Sequence, residues 1–189
     1  MPFLISFLVL FAILLVTPLI KFACLRLGLR SELKKVCRKQ GFTFTPACKR
    51  AFLGSRRRAC CDFHIETPEC VWSVKMIGYA TRRVLIRFCD ERHVELADHR
   101  FRAPKVADAR EKDFKPETLP EYDFKFASPK AKKPRRRVYL LTPSVMDHSV
   151  AGSKGYIPEG AYVGKINILY PKAFLEILEE VKNGSQEEA

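Results

Sequence analysis

Nineteen consecutive residues, Pro2 to Ile20, carry no charge. As an α-helix they cover about 28 Å, close to the roughly 30 Å hydrocarbon core of a bilayer. Backbone polar groups find no water in lipid, so a lone segment of this kind crosses only as a helix. Whatever follows Lys21 must therefore fold while tied to it. The alternatives fit less well. A cleaved secretory signal has basic residues before a shorter apolar run, and no Lys or Arg precedes this one. A lipoprotein site at Cys24 wants an aliphatic residue where Lys21 stands, and a buried core helix is normally shorter. The reading is one uncleaved span, with Pro18 near its inner end and Thr17 able to bond a freed carbonyl.

Charge sets the expected orientation. From Lys21 to Arg58 twelve Lys and Arg stand against one acid, Glu32. Basic residues beside a span stay in the cytoplasm, so the N-terminus is expected outside and the rest inside. This collar holds most of the net charge of +13, because residues 59–189 contain 22 basic and 20 acidic side chains. Lys21, Arg26, Arg30, Lys34, Lys35, Arg38, Lys39, Arg56, Arg57 and Arg58 are expected to face lipid. Each basic residue near an anionic leaflet contributes on the order of 1 kcal/mol. The bilayer and its anionic headgroups are thus the first expected partner. Nucleic acid is the less favoured one, and no protein partner is legible. Seven cysteines at irregular spacing match reduced cytoplasmic thiols better than a disulfide framework.

The chain divides into an anchor (1–23), a basic connector (24–58), a β-meander (59–101), a Pro-rich arm (102–136) and a closing unit (137–189). In the connector Ser31 reads as the N-cap of a short helix to Gln40, with Leu33, Val36 and Cys37 as its apolar stripe and Gly41 beyond its end. In the meander Cys61, Phe63 and Ile65 alternate with Asp62, His64 and Glu66. Trp72, Val74 and Met76 alternate with Ser73 and Lys75, and strands over Val84–Cys89 and His93–Ala97 follow. Phe114, Tyr122, Phe124 and Phe126 are available to dock the arm on the sheet. The closing unit reads as a strand to Leu141, a helical turn over Val145–Val150, a Gly-rich loop, a strand Tyr162–Leu169, and a helix opened by Pro171 and finished before Gly184. The fold class is α+β: a transmembrane helix, then a cytoplasmic domain with a mainly antiparallel sheet, a short N-terminal helix and a C-terminal helix.

Asp62 on one strand and Ser73-Val74-Lys75 on the next carry the most specific chemical hint. The pair resembles the restriction-endonuclease-like core, where an Asp and a following E-x-K hold a metal. The resemblance implies a membrane-tethered, nucleic-acid-contacting domain with Asp62 and Lys75 in catalytic positions. Ser73 stands where the second carboxylate belongs, so that domain would be inactive, since Mg²⁺ sites are built from oxygen ligands. Otherwise both residues are solvent-facing positions of an amphipathic hairpin. Cys60, Cys61, His64 and Cys70 lack the paired C-x₂-C knuckles of a zinc site. No nucleophile motif joins Cys70 or Cys89 to His64, His93 or His99. The glycines after Gly152 lack a phosphate-loop ending, and the basic run Lys130–Arg137 reads as a solvated or membrane-surface segment.

No catalytic residue, metal site or cofactor is assigned. The outline of anchor, basic connector, paired strands over Cys61–Glu66 and Val71–Lys75, and Gly-rich strand before a last helix resembles small single-pass membrane proteins of Gram-positive bacteria. That resemblance implies no activity. The expected role is a membrane-anchored binding or scaffold module, not an enzyme.

Overall fold

From Pro2 to Gln40 the chain is one α-helix of 39 residues, α1. It is about 58 Å long at 1.5 Å per residue. The computed structural model describes residues 2–47, 61–99, 105–122, 124, 133–151 and 161–187. The expected connector and separate Ser31–Gln40 helix are absent: Ser31 lies inside α1. Nothing between Phe22 and Ser31 breaks a helix, and Gly28 is exposed with open space around it. Leu29, Leu33 and Cys37 fall on one stripe with Arg26, and all four are buried. α1 ends at Gly41, whose φ is 76°. There the Phe42 N–H donates to Cys37 O (2.8 Å), as in a Schellman motif.

The two halves of α1 have opposite surroundings. Phe7, Leu10, Phe11, Ile13, Leu14 and Ile20 are each more than half exposed. Among the described residues this is the one helix long and apolar enough to cross a membrane. The half beyond Phe22 packs on the domain.

That domain is built on two mixed sheets. In the first, β1 (Thr43–Pro46), β2 (Phe63–Glu66) and β3 (Val71–Ile77) pair antiparallel. β7 (Arg135–Leu141) then joins β3 in parallel, β10 (Ile166–Leu169) joins β7 in parallel, and the short β9 (Tyr162–Val163) closes the edge. The second sheet has the order β6 (Lys115–Thr118), β5 (His93–Asp98), β4 (Val84–Phe88), β8 (Val145–Val150), with β4 and β8 parallel. The expectation of a mainly antiparallel sheet is therefore corrected.

The physical reason lies at Gly78. There the chain leaves the first sheet so close to Thr142 and Ser144 that a Cβ would collide with their hydroxyls. The link from β7 to β8 turns the same corner, so β4 and β8 pair away from the strands that precede them. Val145–Val150 is thus a strand and not a helical turn. The expected strand Tyr162–Leu169 is divided at Gly164, where φ is 58°.

Helices cover one face of the first sheet and the second sheet covers the other. Side chains alternate between the faces along a strand. Trp72, Val74 and Met76 join Leu33, Phe174 and Leu178 under the helices. Ile77, Tyr139 and Leu141 join Ile86 and Phe88 between the sheets. β3, buried along its whole length, is the centre of the molecule. The last helix, α2 (Pro171–Glu187), starts at Pro171 as expected and runs on through Gly184. It packs beside α1, with Trp72 edge-on to Phe174 at 5.7 Å. The arm does dock: Tyr122 and Phe124 are buried against Tyr139, with ring centroids 6.0 and 6.1 Å away. Phe126 lies outside the described residues.

The register relates α1 to the sheet. Arg26 reaches Met76, whereas Gly41 leads into Thr43, which pairs with Glu66 opposite Val71. Leu140 and Leu169 are level with Met76. The end of the sheet holding Asp62, Met76 and Leu169 is therefore the end nearest the apolar half of α1.

Candidate functional site: a buried charge cluster under α1

Arg26 is the polar member of the buried stripe on α1. It meets Asp62, which the sheet fixes just before β2 through Asp62 N–H to Val74 O (2.8 Å). One carboxylate oxygen, Oδ1, accepts from Arg26 Nη2 at 2.9 Å. The other, Oδ2, accepts the Met76 N–H at 2.7 Å and lies 3.8 Å from Lys75 Nζ. Arg26 Nη1 also donates to Met76 O (3.3 Å), and its guanidinium stands 5.5 Å from the Phe22 ring centre. Lys75 Nζ in turn is 4.5 Å from the centre of the Tyr122 ring. Arg26, Asp62 and Lys75 are 4%, 3% and 5% exposed. One anion so deep is tolerable only because it is paired and hydrogen-bonded.

Two expectations are corrected here. Asp62 and Lys75 are not solvent-facing. Arg26 does not face lipid but turns into the protein. The structure does bring Asp62 and Lys75 together, as the nuclease-like pattern requires. Both Asp62 oxygens are nonetheless engaged, one by an arginine and the other by a backbone N–H beside the lysine. Three positive or donor groups surround the only carboxylate of the cluster, and that arrangement repels a divalent cation. Among the described residues no three His, Cys, Asp or Glu side chains are grouped to hold a metal.

Beside the cluster, between the sheets, His64 Nδ1 lies 2.9 Å from Ser73 Oγ, and His64 Nε2 lies 3.3 Å from Cys61 Sγ. Ser73 Oγ donates its proton to Phe124 O at 3.3 Å. The serine at the first letter of the motif thus ties β2, β3 and the arm together, and the arm seals the polar face of the hairpin.

The other candidates are scattered. Lys21, Lys34, Lys35, Arg38 and Lys39 are exposed, and Arg30 is half-buried 5.8 Å from the Phe44 ring centre. Arg56, Arg57, Arg58 and Cys60 lie outside the described residues. Cys70 pairs with Thr67 and His93 with Asp90, while His99 holds Arg83 O through its backbone N–H. Burial pushes the Cys70 and Cys89 thiols up, the opposite of what an activated nucleophile needs.

Sequence reasoning missed Arg26 as a core residue. The signal was present: Phe22, Arg26, Leu29, Leu33 and Cys37 repeat at helical spacing across the supposed connector. No family model, curated protein or solved structure matches the chain.

Proposed function

We propose that the protein is a single-pass membrane anchor carrying a binding or scaffold domain, with its N-terminus outside and its domain in the cytoplasm. One observation carries the reading. A single unbroken helix supplies both the exposed apolar half and, beyond Phe22, the stripe that the domain buries. A flexible linker would let the domain wander, whereas a helix that enters its core fixes its orientation relative to the bilayer. The Arg26–Asp62–Lys75 cluster pins the first turns after the span to the sheet.

The stalk also divides the basic collar. Lys21 follows the apolar run directly and reaches headgroups. Lys34 to Lys39 lie about 21–28 Å farther along the axis than Ile20, and ordinary tilts of up to about 40° still leave them some 16 Å away. The Debye length is about 8 Å at physiological ionic strength. In this reading these four residues do not rest on lipid. Nor does the geometry of Asp62 support the nuclease-like alternative.

The tests use the full-length chain in cells. It is expected to stay in the membrane pellet after alkaline carbonate, and extraction would refute the anchor. Cys89 is exposed, so an impermeant thiol reagent is expected to label it only after permeabilisation. Labelling in intact cells would reverse the orientation. Metal-dependent nuclease activity that Lys75→Ala abolishes would replace the module reading altogether.

A further inference from the structure

The outward surface of the helical layer is divided by charge. On α1 the exposed side chains include Lys34, Lys35, Arg38 and Lys39, with Glu32 the only acid of that helix. Among the described side chains of α2 they are Lys172, Glu176, Glu179 and Glu180. Lys172 lies 3.7 Å from Glu176. Among the described residues the four basic side chains of α1, and Glu179 and Glu180, make no ion pair.

Resting on the anchor reading, two copies in one bilayer share one orientation. A closed pair is then related by a two-fold axis along the membrane normal. Such a rotation preserves height, so a side chain meets only partners at its own distance from the bilayer. α1 and α2 lie side by side on the same sheet face and both run away from the membrane. Lys34 is eight residues beyond Arg26, about 12 Å along its axis. Glu179 is eight residues beyond Pro171, also about 12 Å. Pro171 in turn follows Leu169, which the register sets level with Met76 and hence with Arg26. The basic and acidic groups thus stand at one level, to within about a helical turn. Rotation about the axis sets α1 of each copy opposite α2 of the other, twice over.

We propose that this charged helical face is the interface between two copies of the chain in the same membrane, with Lys34 and Lys35 of one against Glu179 and Glu180 of the other. Exposed ion pairs are individually weak, so the contact alone would not hold a dimer in dilute solution. Confinement to a bilayer, with orientation already set by the rigid stalk, supplies the effective concentration that the pairs lack. The competing register, α1 against α1, sets lysine against lysine and is repulsive.

The test uses the full-length chain in membranes, with exposed Cys24 and Cys89 replaced by Ser. A Lys35→Cys chain and a Glu180→Cys chain, separately tagged and co-expressed, are expected to form a mixed disulfide on mild oxidation. Lys35→Cys with itself is expected to stay at background. Reversing Lys34 and Lys35 to Glu on the Glu180→Cys chain should cut the mixed product at least about tenfold, the effect of a few like-charge contacts of ordinary strength. Adding Glu179→Lys and Glu180→Lys to its partner, the Lys35→Cys chain, should restore it. These side chains are exposed, so folding is not at stake. Absence of the mixed product, indifference to reversal, or failure of the compensating swap would overturn the dimer. Nucleic acid or acidic protein on this face would give one of those outcomes. A chain that resists carbonate extraction yet fails to cross-link refutes the dimer alone, whereas a chain that is extracted refutes the anchor and with it the axis on which the dimer depends.

Discussion

Replacing Arg26 by Met tests how the stalk is joined to the domain. Met keeps most of the aliphatic length and the packing against Phe22, and it removes the guanidinium. Asp62 then loses the 2.9 Å bond at Oδ1 but keeps the Met76 N–H and Lys75 at 3.8 Å. A unit-charge pair about 4 Å apart is worth ~4 kcal/mol at an effective dielectric constant of 20. Removing one partner of a buried pair typically costs about 3–5 kcal/mol. Lys75 offsets part of the loss, so a destabilisation of ~2–4 kcal/mol is expected. For a domain of this size each kcal/mol moves Tm by roughly 2–4 °C. The assay is thermal and denaturant unfolding of the full-length chain in detergent. Arg26→Met, Asp62→Asn and the double variant form a cycle, and the double is expected to cost clearly less than the two singles together. A drop below ~1 kcal/mol for Arg26→Met, or strict additivity in the cycle, would refute the reasoning.

Three further outcomes are expected. His148 is buried against Tyr170, and burial holds its pKa below the usual 6.5, with Asp147 opposing the shift. Its folded form stays neutral while the unfolded chain takes up a proton, so stability is intact above pH 6.5 and falls as pH drops below it. Unfolding curves of His148→Gln should be flatter than wild type between pH 7 and about 5, and parallel curves would refute this. Gly78→Ala should destabilise by about 1–3 kcal/mol, because the new methyl displaces the Thr142–Ser144 hydroxyl pair and the Tyr79 N–H that Ser144 accepts. Unchanged denaturant midpoints would contradict it. Leu33→Ala, at a fully buried site shared by α1, the sheet and α2, should cost about 2–5 kcal/mol. It should also raise amide exchange along the second half of α1, and protection equal to wild type would count against the packed stalk.

Features governed by local pattern were legible in the sequence, and those set by distant partners were not. The apolar run, the two-residue period of β2 and β3 and the start of α2 at Pro171 depend on neighbours in the chain. Ser31-Glu32 misled because capping chemistry is local, whereas helix continuity was decided by burial of Leu29, Leu33 and Cys37. Arg26 beside a span looks interfacial until Asp62, 36 residues away, is placed next to it. Asp62 and Lys75 belong to one motif and lie 3.8 Å apart, but a motif cannot show that an arginine from another element already fills the carboxylate. Parallel pairing of β3 with β7 leaves no trace of its own, since the two-residue period of a strand is the same whichever way its neighbour runs. The basic run Lys130–Arg137 ends inside β7, where Arg136 and Arg137 lie 5.0 and 5.7 Å from the ring centres of Trp72 and Phe124.

The parallel pairing also dictates an order of events during synthesis. α1 is made first, and its stripe needs Val138, Leu140, Phe174 and Leu178 to cover it. Those residues come from β7 and α2, at the far end of the chain. Until they leave the ribosome, β3 has an open edge toward the place β7 will take, and Leu33 has only part of its burial. Contacts this distant in sequence slow folding, and exposed strand edges and apolar stripes are what chaperones bind and what aggregates. On the anchor reading, a nascent chain held by the apolar half of α1 would spend that interval at a membrane surface, apart from other copies of itself in solution. A ribosome stalled before Pro171 should accordingly display a protease-sensitive α1, and one stalled well past Glu187 a protected one.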